Sequence, residues 1–570
     1  MYILEEIKNK LVEEINNYFK DELVSLEDIN YPPRLDMGDL SLVLFKLGKK
    51  INKNPNELSQ ELISNFNKLK AKNKFLLSVF TSGSYLNFRL DKEKISQEVL
   101  RKILKEKENY GKEKIRKSEK VMLEFSNVNT HKEYHIGHLR NVFYGDSLTR
   151  ILKFQGKNAL PVSYINDFGI HVAKTIWAFL EFHKDDVLSE NKGEFLARVY
   201  EEASRRSKDN KIAEGIIKGI MKKIESREGE EYDLWKETRE WSLDHFKKIY
   251  QELNINFIKT YYESDFIQEG FKLVNQLLEQ KIFKKSEGAV IADLEKYNLG
   301  VLVILRSDGT ATYPVADIPL AQAKFKDYKL KESIYIVDKA QSLYFKQLFK
   351  ILELLGYKEK KRHLAYDLVK LPSGKMSSRL GNTVTYEEFK DKLISKAFKE
   401  TKKRHQDWDE EKIKKVSWEI SKGAMKFEML KVGANQVITF DIDKALSFSG
   451  FTSAYLQYTF ARFNSILSKE KFSEKKEFLK YLKHEKEYQI ILKLGKYPEI
   501  VNKTALNYNP SELAKYLFEL AQLSNDFYHS LTILKAENNF KEARLALIQS
   551  INHVLKNALD LLGISVLEEM

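Results

Sequence analysis

The sequence predicts an α/β protein centred on a doubly wound parallel sheet, with a small α/β unit before it and an all-α bundle after it. Three observations carry this expectation. Val121-Met-Leu-Glu-Phe-Ser, a helical pattern from Ile136 to Phe154 and Ala159-Leu-Pro-Val-Ser-Tyr-Ile give strand, helix and strand within about 45 residues, a βαβ unit. Strands return with Gly300-Val-Leu-Val-Ile-Leu and Ser333-Ile-Tyr-Ile-Val, on either side of a helix near 315–327. From about 385 onward the apolar residues keep helical spacing almost throughout.

The elements follow in order. Over 1–108, Leu4, Ile7, Leu11, Ile15 and Phe19 repeat at helical spacing, and a second apolar run starts at Leu40. Asn54-Pro-Asn-Glu-Leu reads as a capped helix start, and Tyr85-Leu-Asn-Phe-Arg-Leu alternates like a strand. Arg101 to Lys120 carries nine Lys/Arg against four Glu, a solvated helix face or a basic connector. The sheet-bearing domain is expected over 119–384, interrupted at 171–295 by a long, charged helical insertion. A helical region over 385–448 precedes a bundle over 449–570. In that bundle Tyr455, Phe460, Phe463 and Ile466 line one helix, and Leu513, Tyr516, Leu517 and Leu520 line another.

Composition narrows the chemistry. A chain of 570 residues with 43% apolar side chains has material for about three or four cored domains. The absence of cysteine excludes disulfides, thiolate nucleophiles and cysteine-ligated zinc or iron–sulfur centres. Lys and Arg outnumber Asp and Glu by 96 to 82, a formal charge of +14, which suits a polyanionic partner or a lysine-covered surface. Met1-Tyr-Ile-Leu-Glu-Glu-Ile-Lys lacks the apolar core of a signal peptide, and no stretch approaches the roughly 18 apolar residues of a membrane span. A cytoplasmic protein with no membrane partner is expected.

Two segments carry chemistry. His135-Ile136-Gly137-His138 stands where the loop after the first sheet strand enters a helix, at the carboxyl edge of the predicted sheet. With 11 His and 24 Gly in the chain, chance would supply such a quartet about 0.01 times. That edge is where open α/β sheets bind ligands, and a helix N-terminus offers N–H groups and a positive dipole end to phosphate. Two imidazoles can donate to phosphoryl oxygens, while Gly137 lets an adenine or ribose approach the backbone. The second segment, Pro372-Ser-Gly-Lys375-Met376-Ser377-Ser378-Arg379, presents a Gly- and Ser-flanked lysine suited to clamping a pyrophosphate leaving group. It is not a Walker A loop, because Met376 replaces the required Ser/Thr and Val369 occupies the place of the first glycine.

This pair of segments resembles the two signatures of class I aminoacyl-tRNA synthetases. The text around them is similar to that of arginyl-tRNA synthetases: Glu124-Phe-Ser-Asn-Val-Asn-Thr-His-Lys-Glu-Tyr-His-Ile-Gly-His, Tyr164-Ile-Asn-Asp-Phe-Gly, Leu305-Arg-Ser-Asp-Gly-Thr-Ala-Thr-Tyr-Pro-Val-Ala-Asp and Tyr455-Leu-Gln-Tyr-Thr-Phe-Ala-Arg. The resemblance implies a Rossmann-type catalytic domain, an N-terminal tRNA-binding domain and an anticodon-binding bundle. It also implies an arginine–tRNA ligase that uses ATP and Mg²⁺ to activate L-arginine and transfers it to the terminal ribose of tRNA(Arg), with tRNA bound first. On that basis His135, Gly137, His138, Lys375, Met376 and Ser377 are expected at ATP, with His135, His138 and Lys375 catalytic.

Glu124, Asn129, Tyr313, Asp317 and Gln341 are the positions implied to hold arginine, with the two carboxylates forking to a guanidinium that stacks on Tyr313. Tyr313 and Asp317, four apart, would share one face of a helix. The class pattern has a second lysine where this chain has Ser378, and Lys132 is expected to supply that charge. His171 stands where the family commonly has glutamine, and Asn166 and Asp167 match it without a defined role. Such a pocket rejects lysine without an editing step, so the insertion is expected to shape the acceptor-end path. A monomer without zinc is expected. Residues 390–431, with thirteen Lys/Arg against eight Asp/Glu, are a candidate stripe for the tRNA stem. Over 451–570 sixteen Lys/Arg face fourteen Asp/Glu, so anticodon reading there rests on shape and stacking.

Overall fold

The computed structural model describes residues 2–69, 74–188, 191–372, 384–470 and 476–570. The N-terminal unit is an antiparallel sheet of β1 (Ile29–Asn30), β2 (Leu40–Val43), β3 (Leu76–Ser82) and β4 (Tyr85–Leu90), in the spatial order β1-β2-β4-β3. The helix Ile3–Phe19 buries Leu4, Ile7, Leu11 and Ile15, the residues at helical spacing. The apolar run that starts at Leu40 divides between β2 and the helix Leu44–Ile51.

The central sheet begins with β5 (Arg116–Glu124), β6 (Lys157–Ile165) and β7 (Lys259–Tyr262). Next come β8 (Lys284–Ser286), β9 (Ala289–Asp293) and β10 (Val301–Leu305), which form a separate antiparallel sheet. The chain returns to the central sheet with β11 (Glu332–Asp338) and β12 (Lys360–Tyr366). The order is β12-β11-β5-β6-β7 and every neighbouring pair is parallel. The chain thus moves outward from β5 to one side and resumes on the other, which leaves a crevice at the carboxyl ends of β5 and β11.

Two expectations change here. Val301–Leu305 does not join the parallel sheet; a turn with left-handed backbone at Asn298 (φ 58°) and Gly300 (φ 64°) folds it back on β9. The fifth parallel strand is Lys259–Tyr262, inside the span read as a helical insertion. Its four residues, Lys-Thr-Tyr-Tyr, lie at the sheet edge and carry no continuous apolar run. The same span also holds β8 and β9, and the remainder is mainly helical, with Ile170–Phe182, Lys192–Arg206, Lys211–Ser226, Glu230–Glu252 and Glu263–Glu279.

Three contacts set the elements that bear the site. Gly145, on the helix Ile136–Phe154, lies against the Phe125 ring so closely that a Cβ there would stand 2.1 Å from it. The helix therefore seats directly on the end of β5. On the same helix, Asn141 donates through Nδ2 to the Ile336 carbonyl at 2.6 Å and ties it to β11. The third contact concerns the helix Pro314–Tyr328, which carries Pro319 in its interior. Proline has no N–H to give the carbonyl four residues back, so Val315 O is left without its helical donor. The helix Glu263–Glu279 closes on that carbonyl at Gly270, where a Cβ would lie 1.8 Å from Val315 O.

Asp167, just past β6, fastens the insertion. Its carboxylate accepts from Arg239 Nε at 2.5 Å, Ser264 N at 2.9 Å and Ser264 Oγ at 2.8 Å, and its carbonyl accepts from Trp235 Nε1 at 2.8 Å. Beyond the sheet, β13 (Val369–Lys370) pairs in parallel with β14 (Ile438–Thr439). Helices follow from Tyr386–Arg404 to Asn538–Leu561, and Leu513, Tyr516, Leu517, Leu520, Phe460, Phe463 and Ile466 are buried among them. One apolar core runs from the N-terminal unit through the end of β5 into this bundle. No helix among the described residues is long and apolar enough to cross a membrane.

Gly270→Ala is expected to force the helix that begins at Pro314 off its seat and to destabilise the protein by about 1–3 kcal/mol, read by urea unfolding. Unchanged stability would show that the close approach at Val315 is not a constraint.

Candidate active site

The site grows from the carboxyl end of β5. Past Glu124 the backbone turns through left-handed conformations at Ser126 (φ 62°) and His131 (φ 61°), which non-glycine residues hold only when their surroundings fix them. The insertion helix Glu230–Glu252 provides that support. His131 is fully buried: its N–H donates to Ser242 Oγ at 3.0 Å, and Nε2 lies 2.8 Å from Thr238 Oγ1. Burial holds its pKa down to about 3, so the ring is neutral. Ser126 Oγ pairs with the Tyr250 hydroxyl at 2.6 Å. Between these anchors, 128–130 extends the parallel ladder beside β6, with Asn166 N donating to Val128 O and Thr130 N to Asn166 O.

The loop then enters the helix Ile136–Phe154 through a capping box built of two histidines. His135 Nδ1 accepts from Gly137 N, and His138 Nδ1 accepts from His135 N, both at 3.1 Å. The rings stack with centroids 3.8 Å apart. Since both Nδ1 atoms accept, both neutral rings carry their proton on Nε2, which makes each a hydrogen-bond donor directed away from the cap. Burial holds His135 down to about 4 and His138 well below the ordinary range. The histidines are therefore neutral donors at physiological pH.

Glu124, Asn129, His135, Gly137, His138, Tyr313, Asp317 and Gln341 line one cavity of about 510 Å³. Residues 373–383, which include Lys375, Met376, Ser377, Ser378 and Arg379, lie outside the described residues. The chain on either side reaches the same place: Val369 lines the cavity, and Thr385 forms an antiparallel bridge with His135. Lys132 has no ion-pair partner among the described residues, its ammonium lies 5.1 Å from the Tyr200 ring centroid, and its charge helps keep both histidines neutral. His171 is half-buried near Lys132, with its buried Nε2 unpartnered among the described residues. Asn166 lines the cavity, whereas Asp167 serves the clamp described above.

At the acidic end of the cavity the two expected carboxylates, Glu124 and Asp317, differ in their partners. Tyr313 and Asp317 do share the start of the helix Pro314–Tyr328, and Asp317 is held by a hydrogen bond from the Tyr344 hydroxyl to Oδ2. Its Oδ1 is buried without a partner among the described residues, and burial pushes its pKa up to about 6. Glu124, however, is already engaged. Its Oε2 forms an ion pair with Lys324, both side chains almost wholly buried, and its Oε1 accepts from Asn127 Nδ2 at 3.0 Å.

A different carboxylate stands near Asp317. Glu263, where β7 ends, accepts from Asn166 Nδ2 at 3.0 Å, and burial, with Asp317 and Asp167 nearby, raises its pKa to about 8. Glu263, Tyr344, Lys324 and His131 were not singled out from the sequence. Lys324 had a signal, since it lies seven residues after Asp317 and so on the same helix face. Glu263 is one acid in a charged stretch, and nothing local distinguishes it.

Comparison with known proteins now places the chain. The family model of the class I (R) tRNA synthetase catalytic domain matches residues 99–441, and those of the arginyl-tRNA synthetase N-terminal domain and the DALR anticodon-binding domain match 5–90 and 456–570. The chain belongs to the class I arginyl-tRNA synthetases. The arginine–tRNA ligase of Bdellovibrio bacteriovorus is 34% identical over 99% of this chain and 98% of its own, and that of Halothermothrix orenii 34% identical over 99% and 100%. The solved structure of Thermus thermophilus arginyl-tRNA synthetase superposes with a TM-score of 0.83 at 27% identity, covering 99% of this chain and 100% of that one. The Plasmodium falciparum arginyl-tRNA synthetase, 22% identical with a TM-score of 0.81 and 99% coverage of both chains, shares the fold. The architecture expected from the sequence, a parallel-sheet catalytic domain between an α/β N-terminal domain and a helical C-terminal domain, is that of this family.

Proposed function

We propose that the cavity of this arginyl-tRNA synthetase takes ATP at its histidine end and the arginine side chain at its acidic end. The observation that carries the reading is the buried, unpartnered Oδ1 of Asp317, in the same cavity as His135, Gly137 and His138. A buried carboxylate oxygen without a donor is costly until a cation reaches it, and a guanidinium supplies two parallel N–H groups. Glu124 and Asp317 are the carboxylates that border the cavity in this reading, with Tyr313 as the stacking face, and Glu263 adds a third carboxyl behind Asn166. Asn129 and Gln341 hold the α-amino and carboxylate ends.

The arginine carboxylate attacks the α-phosphorus of ATP in line. A new P–O bond forms as the bond to the bridging oxygen breaks, giving arginyl-adenylate and pyrophosphate. The Nε2–H groups of His135 and His138 donate to the phosphoryl oxygens where negative charge develops, and neutral donors fixed by a helix cap need no reorganisation. Lys375, with Met376 and Ser377 beside it, holds the departing pyrophosphate, and Lys132 stands in for the lysine replaced by Ser378. Mg²⁺ would be carried by the triphosphate oxygens and neutralise leaving-group charge.

The 2′-hydroxyl of the terminal ribose of tRNA(Arg) then attacks the adenylate. Residues 1–108 serve the outer corner of the tRNA, 119–384 catalysis with 171–295 as insertion, 385–448 the stem and 449–570 the anticodon. The enzyme acts as a cytoplasmic monomer and uses no zinc.

Asp317→Asn is expected to raise the arginine KM about 100-fold in ATP–pyrophosphate exchange with tRNA present, and an unchanged KM would remove Asp317 from the pocket. The carboxyls accept a guanidinium only when ionised. Arginine KM is therefore expected to fall as pH rises through about 6 and on through about 8, the values of Asp317 and Glu263, and Glu263→Gln to abolish the upper step. Lys132→Ala should slow adenylation more than Arg379→Ala; the reverse order would overturn the role given to Lys132.

A further inference from the structure

Arg140 stands two residues past His138 on the helix Ile136–Phe154 and is 2% exposed. Among the described residues it has no ion-pair partner. Its Nη2 donates instead to two main-chain carbonyls, Gly433 O at 3.1 Å and Ala434 O at 2.8 Å, and its buried Nη1 has no partner among the described residues. Burial brings the guanidinium down to about 10, against the pull of Tyr366 and Asp367, and leaves it charged at neutral pH. The Asp367 carboxylate is itself engaged elsewhere: it accepts from Leu368 N at 2.8 Å and lies 3.7 Å from the Lys339 ammonium. A buried cation without a carboxylate is costly, and hydrogen bonds to carbonyls offset only part of that. The reason for such a residue lies in what it holds.

Arg140 holds a wall of the cavity. Ala434 O accepts from Asp367 N at 2.9 Å as well as from Arg140, so one carbonyl joins the helix of the histidines to the segment that follows β12. The pairing continues along β13 and β14, with Ile438 N on Leu368 O at 3.0 Å and Phe440 N on Lys370 O at 2.8 Å. Tyr366, Asp367, Leu368 and Val369 all line the cavity, together with His135, Gly137 and His138. A parallel pair of two residues a side is too short to be stable alone. The turn at Gly433, whose carbonyl also accepts from Gln436 N at 3.0 Å, needs an outside tie, and the guanidinium provides it.

We propose that Arg140 is a positioning residue for the nucleotide: it ties the turn at 433–436, and through it the wall at 366–369, to the helix that starts at His135, and so fixes where that wall stands beside the histidines. The inference rests on the reading that ATP lies at the histidine end of the cavity.

The test is ATP–pyrophosphate exchange by the full-length enzyme with tRNA present, with ATP and arginine varied in turn. Hydrogen–deuterium exchange of the free enzyme reads the tie directly. Arg140→Met is expected to raise ATP KM about 30-fold while arginine KM stays within about threefold, since a wall displaced by about 1 Å misplaces the nucleotide and leaves Asp317 and Tyr313 in place. Deuterium uptake over 366–370 and 433–440 should quicken at least about tenfold, with 121–124 unchanged. Arg140→Lys keeps the charge, but its ammonium ends one bond short of Nη2; it should bring ATP KM back to about fivefold above the parent. An unaltered ATP KM in Arg140→Met overturns the inference, as do equal rises in both KM values, uptake quickened alike across the sheet, or Arg140→Lys no better than Arg140→Met. Should Arg140→Met not fold, Arg140→Lys carries the test: ATP KM about fivefold higher at constant arginine KM is expected, and equal changes in the two, or none, overturn the inference. His138→Asn, which keeps a cap acceptor and removes the Nε2 donor, separates the two levels. Unchanged ATP KM and kcat there defeat the reading that ATP lies at the histidine end, whereas a changed value there beside an unmoved ATP KM in Arg140→Met defeats only the inference about Arg140.

Discussion

The cost of burying charge governs this molecule's active site. Glu124, Asp317 and Glu263 are three carboxylates largely withdrawn from water, and the one internal ammonium near them, that of Lys324, pairs with Glu124. Withdrawal from water, with the neighbouring carboxylates adding to it, is why Asp317 and Glu263 sit above the ordinary carboxylate range while Glu124 is paired.

The surrounding scaffold serves that arrangement. Asp317 reaches the cavity because Pro319 frees a carbonyl and Gly270 allows a neighbouring helix to close on it, which fixes the height of the Asp317 helix over the sheet. At the other end, Gly145 and Asn141 seat the helix that starts at His135 on β5 and β11. The loop between holds two left-handed residues, and the insertion supplies the hydroxyls that keep them there. The insertion is thus part of the active site's support, tied in by Asp167, in addition to any contact it makes with tRNA.

Much of this was legible in the sequence. The helix at Ile136–Phe154 and the strands around 121–124 and 333–337 follow from apolar runs bounded by turn residues, and the structure places them there. His135 and His138 stood out by their spacing and line the cavity, and the capping geometry adds what spacing omits: both rings are neutral, with their protons on Nε2. The fifth strand was missed because an edge strand of four residues lacks a pattern of its own, and β10 was misplaced because an apolar strand reads alike in either sheet. Glu263 and Lys324 were missed for a related reason. Their meaning lies in which partners they meet 97 and 200 residues away in the chain.

By itself, then, the sequence determined the domain order, the class I catalytic fold, the histidine end of the site and the stripe bearing Tyr313 and Asp317, because these depend on local spacing and on short motifs. Tertiary structure alone decided how the carboxylates share their cations. Glu124 and Asp317 are the same kind of residue in the sequence, each near the end of a predicted element. Only the fold brings Lys324 to one and leaves the other open, since the energy of a buried charge depends on its neighbours in space and not on its neighbours along the chain.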